Sequence, residues 1–422
     1  MCGFAGFLGL NSNRKHILLS MQKVLFHRGP DDEGIWMDHS AGIGLSHRRL
    51  SVLDLSHAGK QPMHSPSGRY CIAFNGEIYN HIELRKEIGE VPWHGNSDTE
   101  TLLAGFDRFG VREMVQKSVG MFGFALWDKK KRELTLGRDR IGEKPVYYGW
   151  QGSGANAAFI FGSELGALRK HPSFDNEISR GALSLYLRHN CVPSPYSIYK
   201  GISKLSPGCI LTVSLKNRSP NLINYWSAIS VFESSIENQR TEDSKVIVDE
   251  LENLLKKVIR GQMISDVPLG AFLSGGLDSS TVVSLMQAQS SNPIKTFTVG
   301  FEEKGYNEAV HAKAVATHLR TDHTELYVSP EESLAIIPKL PSIYDEPFSD
   351  SSQIPTFLIS QLARRHVTVS LSGDGGDELF CGYNRYLFTE KVWSWISVLP
   401  LALRKLASSV INSLPVKLWD LG

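Results

Sequence analysis

The second half of the chain alternates short apolar runs with segments in which apolar residues recur at helical spacing. From Leu269 onward the pattern predicts a strand, helix 279–288, strand 296–301, helix 307–319, strand 325–328, helix 353–365 and strand 367–371. This alternation predicts an α/β parallel sheet with helices on both faces. Because ligands bind beyond the carboxyl ends of the strands in such sheets, we expect the chemistry of this half there.

The first half is predicted to be rich in β-structure. Strand-like runs occur at 46–54, 70–74, 121–128, 133–140, 147–148 and 159–161. A polar turn covers 27–34, and the motif Ser-Asp-Thr-Glu at 97–100 is expected to cap a helix. Strand signals fade after 211–213.

A polar segment rich in Ser and Asn divides the two patterns at 216–243, and helical spacing begins at 244–264. The sequence therefore predicts a first domain at 1–215, a linker at 216–243 and a second domain at 244–422.

Composition narrows the class of protein. The 422 residues carry a net charge of +1, which gives no electrostatic case for a nucleic-acid or membrane partner. The five cysteines are scattered without a CxxC motif, which indicates a reducing, cytoplasmic compartment. We find no signal-peptide pattern and no run of the roughly 18–20 apolar residues that a membrane span requires.

The stretch Ser274-Gly275-Gly276-Leu277-Asp278-Ser279-Ser280 joins a predicted strand to a predicted helix. Such a turn directs backbone N–H groups and a helix N-terminus at an anion. It is not a Walker A motif, because the Gly-Lys-Ser/Thr ending is absent. Asp278 would repel phosphate unless Mg²⁺ lay between them. The pattern resembles the pyrophosphate loop of enzymes that adenylylate a substrate; the alternative is a plain Gly-Ser turn.

A second acidic, Gly-rich loop at 372–378 follows the last predicted strand. It brings Asp377 to the same edge of the sheet as Asp278. Two carboxylates facing a triphosphate require a cation, so both are candidate Mg²⁺ ligands. The alternative is a solvated loop.

Cys2 would become the first residue after removal of the initiator Met. An N-terminal cysteine carries its own base, because its α-amine has a pKa of about 7.7–8.0 and its thiol one of about 8.5. The alternative is a chance cysteine that packs as a small hydrophobe.

Several motifs in fixed order resemble the glutamine-dependent asparagine synthetase family. They are Met1-Cys2-Gly3, HRGPD at 27–31, RLS at 49–51, NGEIYN at 75–80, SDTE at 97–100 and RDRIGEKPVYYG at 138–149. The resemblance covers nearly the whole chain. It implies an α+β N-terminal-nucleophile domain, an αββα sandwich that acts as a glutaminase, followed by an ATP-dependent synthetase domain of the pyrophosphate-loop type.

The resemblance implies that Cys2 attacks the side-chain amide of glutamine. Asn75 and Gly76 would form the oxyanion hole, and Arg49 would hold the α-carboxylate of glutamine. Asp98 would accept from the α-ammonium, with Glu77 also at this site. We assign structural roles to the other residues of this half that match the family, which are His27, His47, Arg138 and Asp139.

For the second half the resemblance implies that aspartate attacks ATP to give β-aspartyl-AMP and pyrophosphate, and that ammonia then displaces AMP. Asp278 and Asp377 would hold Mg²⁺. Asp374 stands where some family members carry Glu, and it is the candidate proton acceptor. The expected nucleotide contacts are Leu273, Ser274, Gly275, Gly276, Asp278, Ser279, Val299, Ser372 and Gly373.

Two other functions remain open. The first is an amidotransferase that acts on a different carboxylate, with 344–352 helping to form the acceptor pocket. The second is an inactive glutamine- or nucleotide-binding module, against which intact Cys2, Asn75, Asp278 and Asp377 argue. The oligomeric state is also open, with a homodimer as one alternative.

Apolar residues crowd the segment 392–421, where Pro400 and Pro415 interrupt the pattern. It is predicted to form short helices that need a packing partner. Because no further family motif follows Tyr383, we expect a synthetase domain that is incomplete at its C-terminus.

Overall fold

The structure is a computed structural model that describes residues 1–9, 14–238, 240–301 and 307–415. The strands of its N-terminal half are β1 (Gly3–Gly9), β2 (Asp32–Asp38), β3 (Ile43–Arg49), β4 (Met63–His64), β5 (Tyr70–Ile78), β6 (Gly120–Asp128), β7 (Glu133–Arg138), β8 (Tyr147–Gln151), β9 (Ala158–Gly162), β10 (Ser203–Lys204), β11 (Cys209–Val213) and β12 (Asn221–Asn224).

These strands form two antiparallel sheets that pack face to face. The first sheet has the order β10-β8-β9-β1-β3-β2, and the second has the order β12-β11-β7-β6-β5-β4. Phe4 and Leu8 of β1 lie between the sheets in one buried cluster with Ala73 of β5 and Trp127 of β6. Because β1 alternates its side chains, Ala5 and Phe7 face the opposite side of the first sheet.

Helices cover the outer face of each sheet. They are α1 (Arg14–Val24), α2 (His81–Ile88), α3 (Asp98–Phe109), α4 (Val111–Lys117), α5 (Leu165–Leu168) and α6 (Arg180–His189). α1, α5 and α6 pack on the first sheet, and α2, α3 and α4 pack on the second. The predicted αββα sandwich is therefore confirmed.

The predicted C-terminal ends of two strands were wrong. The run 46–54 was expected to be mostly strand, but β3 ends at Arg49. The strand expected at 70–74 continues to Ile78, since each residue of β5 pairs with β6. Asn75 and Gly76 therefore lie inside a strand, and the hairpin turn that Asn-Gly often indicates does not form there.

The C-terminal half contains a parallel sheet. Its strands are β13 (Leu269–Phe272), β14 (Lys295–Phe301), β15 (Asp322–Val328) and β16 (Val369–Leu371), in the order β15-β14-β13-β16. All three pairings are parallel. The predicted α/β organisation is confirmed, and the carboxyl ends of β13 and β16 are neighbours.

Helices alternate with these strands. They are α7 (Ala228–Glu237), α8 (Ser244–Gln262), α9 (Leu277–Gln287), α10 (Ala309–Leu319), α11 (Pro330–Leu334), α12 (Leu340–Ile343), α13 (Gln353–Ala363), α14 (Gly376–Phe380), α15 (Asn384–Ser397) and α16 (Leu401–Ser413). The predicted helices at 244–264, 279–288, 307–319 and 353–365 correspond to α8, α9, α10 and α13.

The segment predicted as a linker holds regular structure. β12 lies within it and pairs with β11, so the second sheet of the sandwich extends past residue 215. α7 follows, with its apolar side chains Ile229, Val231 and Phe232 exposed. The domain boundaries themselves stay a prediction.

The apolar C-terminal segment forms helices α15 and α16, which break at Pro400 as predicted. Many of their apolar side chains are exposed, Trp395 and Phe388 most of all. The predicted residues 416–421 lie outside the described ones. Across the described ranges no single helix meets the length and hydropathy of a membrane span; Gly376–Ser397 and Leu401–Ser413 do so only jointly, with a 119° bend between them.

Candidate active site

The thiol of Cys2 lies at the entrance of β1, at the floor of a cavity. The N–H of Leu50 donates to Sγ at 3.4 Å, and the Sγ lies 3.5 Å from the Leu50 carbonyl oxygen. Leu50 follows β3, which pairs with β1 and so brings Arg49 and Leu50 beside the sulfur. Burial raises the pKa of the Cys2 thiol.

Met1 still precedes Cys2 in this chain and occupies part of the cavity. Burial lowers the pKa of its α-amino group to about 6. Its Sδ lies 2.9 Å from Nζ of Lys144, whose own pKa is lowered by burial. Removal of Met1 would take this amine away and free the backbone nitrogen of Cys2 as a new α-amine beside the thiol.

The cavity has a volume of about 290 Å³. Its wall includes every predicted glutamine-site residue, namely Cys2, Arg49, Asn75, Gly76, Glu77 and Asp98. Thr368, Val369 and Ser370 of the C-terminal half also line it. The cavity therefore extends from the thiol to the start of β16.

Asn75 has a side-chain amide that is buried and unpaired. Neither its Nδ2 nor its Oδ1 has a hydrogen-bond partner among the residues that the structure describes. Asn75 shares the inter-sheet face of β5 with Cys71 and Ala73, and it lines the cavity. A buried amide without a partner costs free energy, so a ligand in the cavity that paired with this amide would remove that cost.

Arg49 is fixed by the loop that follows it. Its Nη1 donates to the carbonyl of Ser56 and its Nη2 to that of Leu53, both at 3.1 Å, and Nη2 also donates to the Asp54 carbonyl. A Cβ at position 59 would collide with the guanidinium, so Gly59 is required for this packing. Arg49 therefore presents a fixed cation at the cavity wall.

Asp98 and Glu77 place acidic groups in the wall of the same cavity. The Ile78 N–H donates to Asp98 at 2.8 Å, at the start of α3. Burial raises the pKa of Asp98 to about 6, and burial with the nearby Asp98 charge raises that of Glu77 to about 7. An amino-acid ammonium between them would relieve both penalties.

The sequence did not point to Asp54, Gly59 or Gln61, although all three support the site. Asp54 has a left-handed backbone with φ 57°, a conformation that Asp tolerates better than most residues. Gln61 lines the cavity, donates to Thr99 Oγ1 at 3.2 Å and accepts from Phe74 N–H at 2.7 Å. Of these three residues, only Asp54 could have been noticed in the sequence, because Asp tolerates a left-handed backbone conformation better than most residues.

The four residues assigned structural roles do make structural contacts. His47 Nε2 lies 2.8 Å from the Phe74 carbonyl oxygen, and burial lowers the pKa of this imidazole to about 4. His27 pairs with Glu164. Asp139 accepts from the Phe122 N–H at 3.1 Å, and Arg138 Nε donates to the Lys144 carbonyl at 3.0 Å.

The predicted anion loop follows β13 and leads into α9. Gly275 has φ 84°, a conformation for which glycine is suited, and its Cα packs closely against α10. Ser279 Oγ accepts from the Ser274 N–H at 3.2 Å and lies 2.9 Å from Ser274 Oγ. Leu273 is buried beneath the loop, and its N–H donates to Phe297 at 2.9 Å.

The second loop lies directly against the first. A Cβ on Gly376 would fall 2.5 Å from Asp278 Cγ, and one on Gly373 would fall 2.7 Å from Ser279 N. Asp377 follows Gly376, and its Oδ1 lies where a Cβ on Gly382 would collide with it. Ser372 Oγ lies 3.0 Å from Asp374 Oδ2. Val299 lies on β14 and packs partly buried in a small apolar cluster.

The described residues contain no group of three or more His, Cys, Asp or Glu side chains arranged to hold a metal alone. Asp278 and Asp377 follow the carboxyl ends of the neighbouring strands β13 and β16, and two such carboxylates would suit Mg²⁺, a cation that prefers oxygen ligands.

Two acids of the segment 344–352, which was expected to help form an acceptor pocket, contact the N-terminal half. Asp345 accepts from the N–H groups of Leu165 at 2.5 Å and Gly166 at 2.9 Å. Glu346 accepts from the Ile198 N–H at 2.8 Å and pairs with Lys204. Residues 344–348 also line a second cavity, with Lys204 in its wall, and the acceptor pocket itself stays a prediction.

Comparison with known proteins matches both halves. Residues 1–226 match the family described as "Glutamine amidotransferase domain", and residues 250–420 match the family described as "Asparagine synthase". The site geometry and these matches define the class: a two-domain glutamine amidotransferase. The chain belongs to the family of glutamine-hydrolysing asparagine synthetases.

Individual relatives agree. The chain is 38% identical to a putative glutamine-hydrolysing asparagine synthetase 2 of Methanocaldococcus jannaschii, over 99% of this chain and 81% of the relative. It is 37% identical to the glutamine-hydrolysing asparagine synthetase 1 of Bacillus subtilis, over 92% of this chain but only 59% of the relative. A solved structure, that of glutamine phosphoribosylpyrophosphate amidotransferase from B. subtilis, aligns with this chain at 15% identity and a TM-score of 0.40. The alignment covers 77% of this chain and 65% of the chain in that structure.

Proposed function

We propose that this protein amidates aspartate to asparagine with ATP, using ammonia released from glutamine. The observation that carries this proposal is one cavity whose wall includes both Cys2 and the start of β16, the strand that leads into the Asp374–Asp377 loop. A nucleophile cavity that reaches the strand leading into the second loop fits a reaction in which the product of the first site is consumed at the second.

Glutamine would bind with its α-carboxylate at Arg49 and its α-ammonium at Asp98 and Glu77. Cys2 Sγ then attacks the side-chain carbonyl, and the N-terminal amine left by Met1 removal takes the thiol proton. Asn75 Nδ2 and the Gly76 N–H stabilise the oxyanion. The C–N bond breaks to give ammonia and a γ-glutamyl thioester, which water hydrolyses to glutamate.

In the second half, the nucleotide would bind at the contacts that the sequence predicts, with its phosphates over the loop at 274–279. Mg²⁺ held by Asp278 and Asp377 would neutralise phosphate charge. The side-chain carboxylate of aspartate attacks the α-phosphorus and displaces pyrophosphate. The protein's contribution here is positioning and charge stabilisation.

Ammonia then attacks the β-carbonyl of the aspartyl adenylate, and AMP leaves with the bonding electron pair. Asp374 is the candidate acceptor of the proton that ammonia loses. Its hydrogen bond with Ser372 holds it at the loop. The proposed substrates are thus glutamine, aspartate and ATP. The reaction would take place in the cytoplasm.

The test measures the two half-reactions separately in the purified protein. We expect glutamate release to depend on Cys2, and pyrophosphate release to depend on aspartate, ATP and Mg²⁺. Asparagine should form in step with pyrophosphate. If pyrophosphate is released with another carboxylate but not with aspartate, that carboxylate is the acceptor and aspartate is not. If neither half-reaction occurs, the proposal is rejected.

A further inference from the structure

Asp266 joins the strand of the ATP loop to the glutamine site. It lies in the short segment between α8 and β13. Its Oδ2 accepts from the Asp54 N–H at 2.8 Å, and its own N–H donates to the Val52 carbonyl at 2.9 Å. This two-way pairing fixes both the position and the orientation of the 52–54 backbone relative to β13.

Asp54 is the centre of the loop that holds Arg49. Its carboxylate accepts from the N–H of Ser56 at 3.1 Å and of Asn96 at 2.7 Å. Its carbonyl oxygen accepts from Arg49 Nη2. Since φ of Asp54 is 57°, the residue is held in a sparsely populated conformation that its surroundings must maintain.

The opposite end of the connection is rigid as well. Two residues separate Asp266 from β13, and the carbonyl of Pro268 accepts from the Thr368 N–H at 2.9 Å. Thr368 lines the cavity, and so does Val52, to which Asp266 donates; the entrances of β16 and β13 are therefore both connected to the glutamine site. A shift of β13 would therefore move the Asp54 carbonyl and with it Arg49.

We propose that Asp266 is a positioning residue for glutamine binding, which acts from the synthetase half through Asp54 on Arg49. This rests on the proposed role of Arg49 as the clamp for the α-carboxylate. Asp266 touches no substrate; it keeps the Asp54 N–H and carbonyl in place, so that the guanidinium meets the carboxylate.

The experiment compares Asp266→Ala with Asp266→Asn in the purified protein. Glutaminase kinetics are measured with glutamine and with its α-amide, in which the α-carboxylate is replaced by a neutral carboxamide. For glutamine we expect Asp266→Ala to raise KM about three- to tenfold at unchanged kcat, since a hydrogen bond to a charged acceptor is lost. Asp266→Asn keeps an acceptor oxygen and should restore most of the affinity.

The α-amide lacks the negative charge that Arg49 is proposed to bind. Its KM should therefore change less than twofold in Asp266→Ala. Asp249→Ala, which removes an exposed aspartate from α8, is the matched control and should match the unmodified protein. Should Asp266→Ala fail to fold, Asp266→Glu, which displaces the carboxylate by one methylene, serves in the same comparison.

The outcomes separate the two proposals. If the unmodified protein does not hydrolyse glutamine, the proposed function itself fails. If it does, an unchanged glutamine KM in Asp266→Ala, or an equal rise for both substrates, overturns the positioning role of Asp266.

Discussion

The Sγ of Cys2 lies 3.4 Å from the backbone nitrogen of Leu50, whose N–H donates to the sulfur. This donor favours the thiolate, whereas burial opposes it and raises the thiol pKa. In the proposed mechanism the sulfur would therefore depend on the α-amine of Cys2, freed by removal of Met1, to take its proton.

Cys2→Ala is expected to lower glutamine hydrolysis at least about a thousandfold, because the nucleophile is removed. Synthesis with added ammonia should persist. Glutamate release and ammonia-dependent pyrophosphate release are the two measurements, and Cys191→Ala, at an exposed cysteine, is the control. Retained glutamine hydrolysis in Cys2→Ala would reject Cys2 as the nucleophile.

Asn75→Ala should lower kcat for glutamine hydrolysis about 100- to 1000-fold, as expected for loss of one oxyanion donor. Its KM should change little. Thermal unfolding should show an unchanged or higher midpoint, since the removed amide has no partner in the described residues. A large loss of stability with normal kcat would assign Asn75 a structural role instead.

Glutamine affinity should fall below about pH 6. Burial raises the pKa of Asp98 to about 6, so acid protonates it and removes the charge that the α-ammonium needs. KM is expected to rise up to about tenfold per pH unit between pH 6 and 5. Asp98→Asn should have a high KM that varies little over this window. An undiminished slope in Asp98→Asn would assign the titration to another group, such as Glu77.

Asp278→Asn and Asp377→Asn should each abolish aspartate-dependent pyrophosphate release and leave glutamine hydrolysis intact. The two residues lie on loops that touch each other, so losing either carboxylate would remove an oxygen ligand from the proposed Mg²⁺ site. The measurement is pyrophosphate release across a Mg²⁺ titration. An unchanged Mg²⁺ requirement in both variants would contradict the assignment.

Glu346→Ala should destabilise the protein by about 2–4 kcal/mol. The change leaves the Lys204 ammonium uncompensated where its side chain is only 17% exposed. Glu177→Ala is the matched control, because the Lys200–Glu177 pair is exposed on both sides and should contribute at most about 1 kcal/mol. Chemical denaturation of the two variants measures the difference. Equal losses would show that Glu346 does not join the halves.

The sequence predicted those parts of the site that depend on local chain geometry. The loop at 274–279 follows a strand and precedes a helix, and its position after β13 could be inferred from periodicity alone. The position of Asn75 was harder to predict from the sequence. Whether Asn-Gly forms a turn or continues a strand depends on pairing with β6.

Contacts between the halves could not be predicted at all. Nothing in the residues near Asp345 indicates that its carboxylate meets the start of α5, some 180 positions earlier in the chain. The same holds for Gly59. A glycine is required there because the Arg49 guanidinium occupies the space that a side chain would fill, and only the folded structure shows this contact. Such relationships arise from the packing of distant segments, for which a single sequence carries no local signal.

The acids that join the halves have an evolutionary consequence. Asp266, Asp345 and Glu346 all accept main-chain N–H groups of the N-terminal half. Any residue except proline supplies that donor. Selection on these contacts should therefore act on the three acids, whereas the side chains of Leu165 and Ile198 are constrained by their own packing in the core and not by the acids they bind.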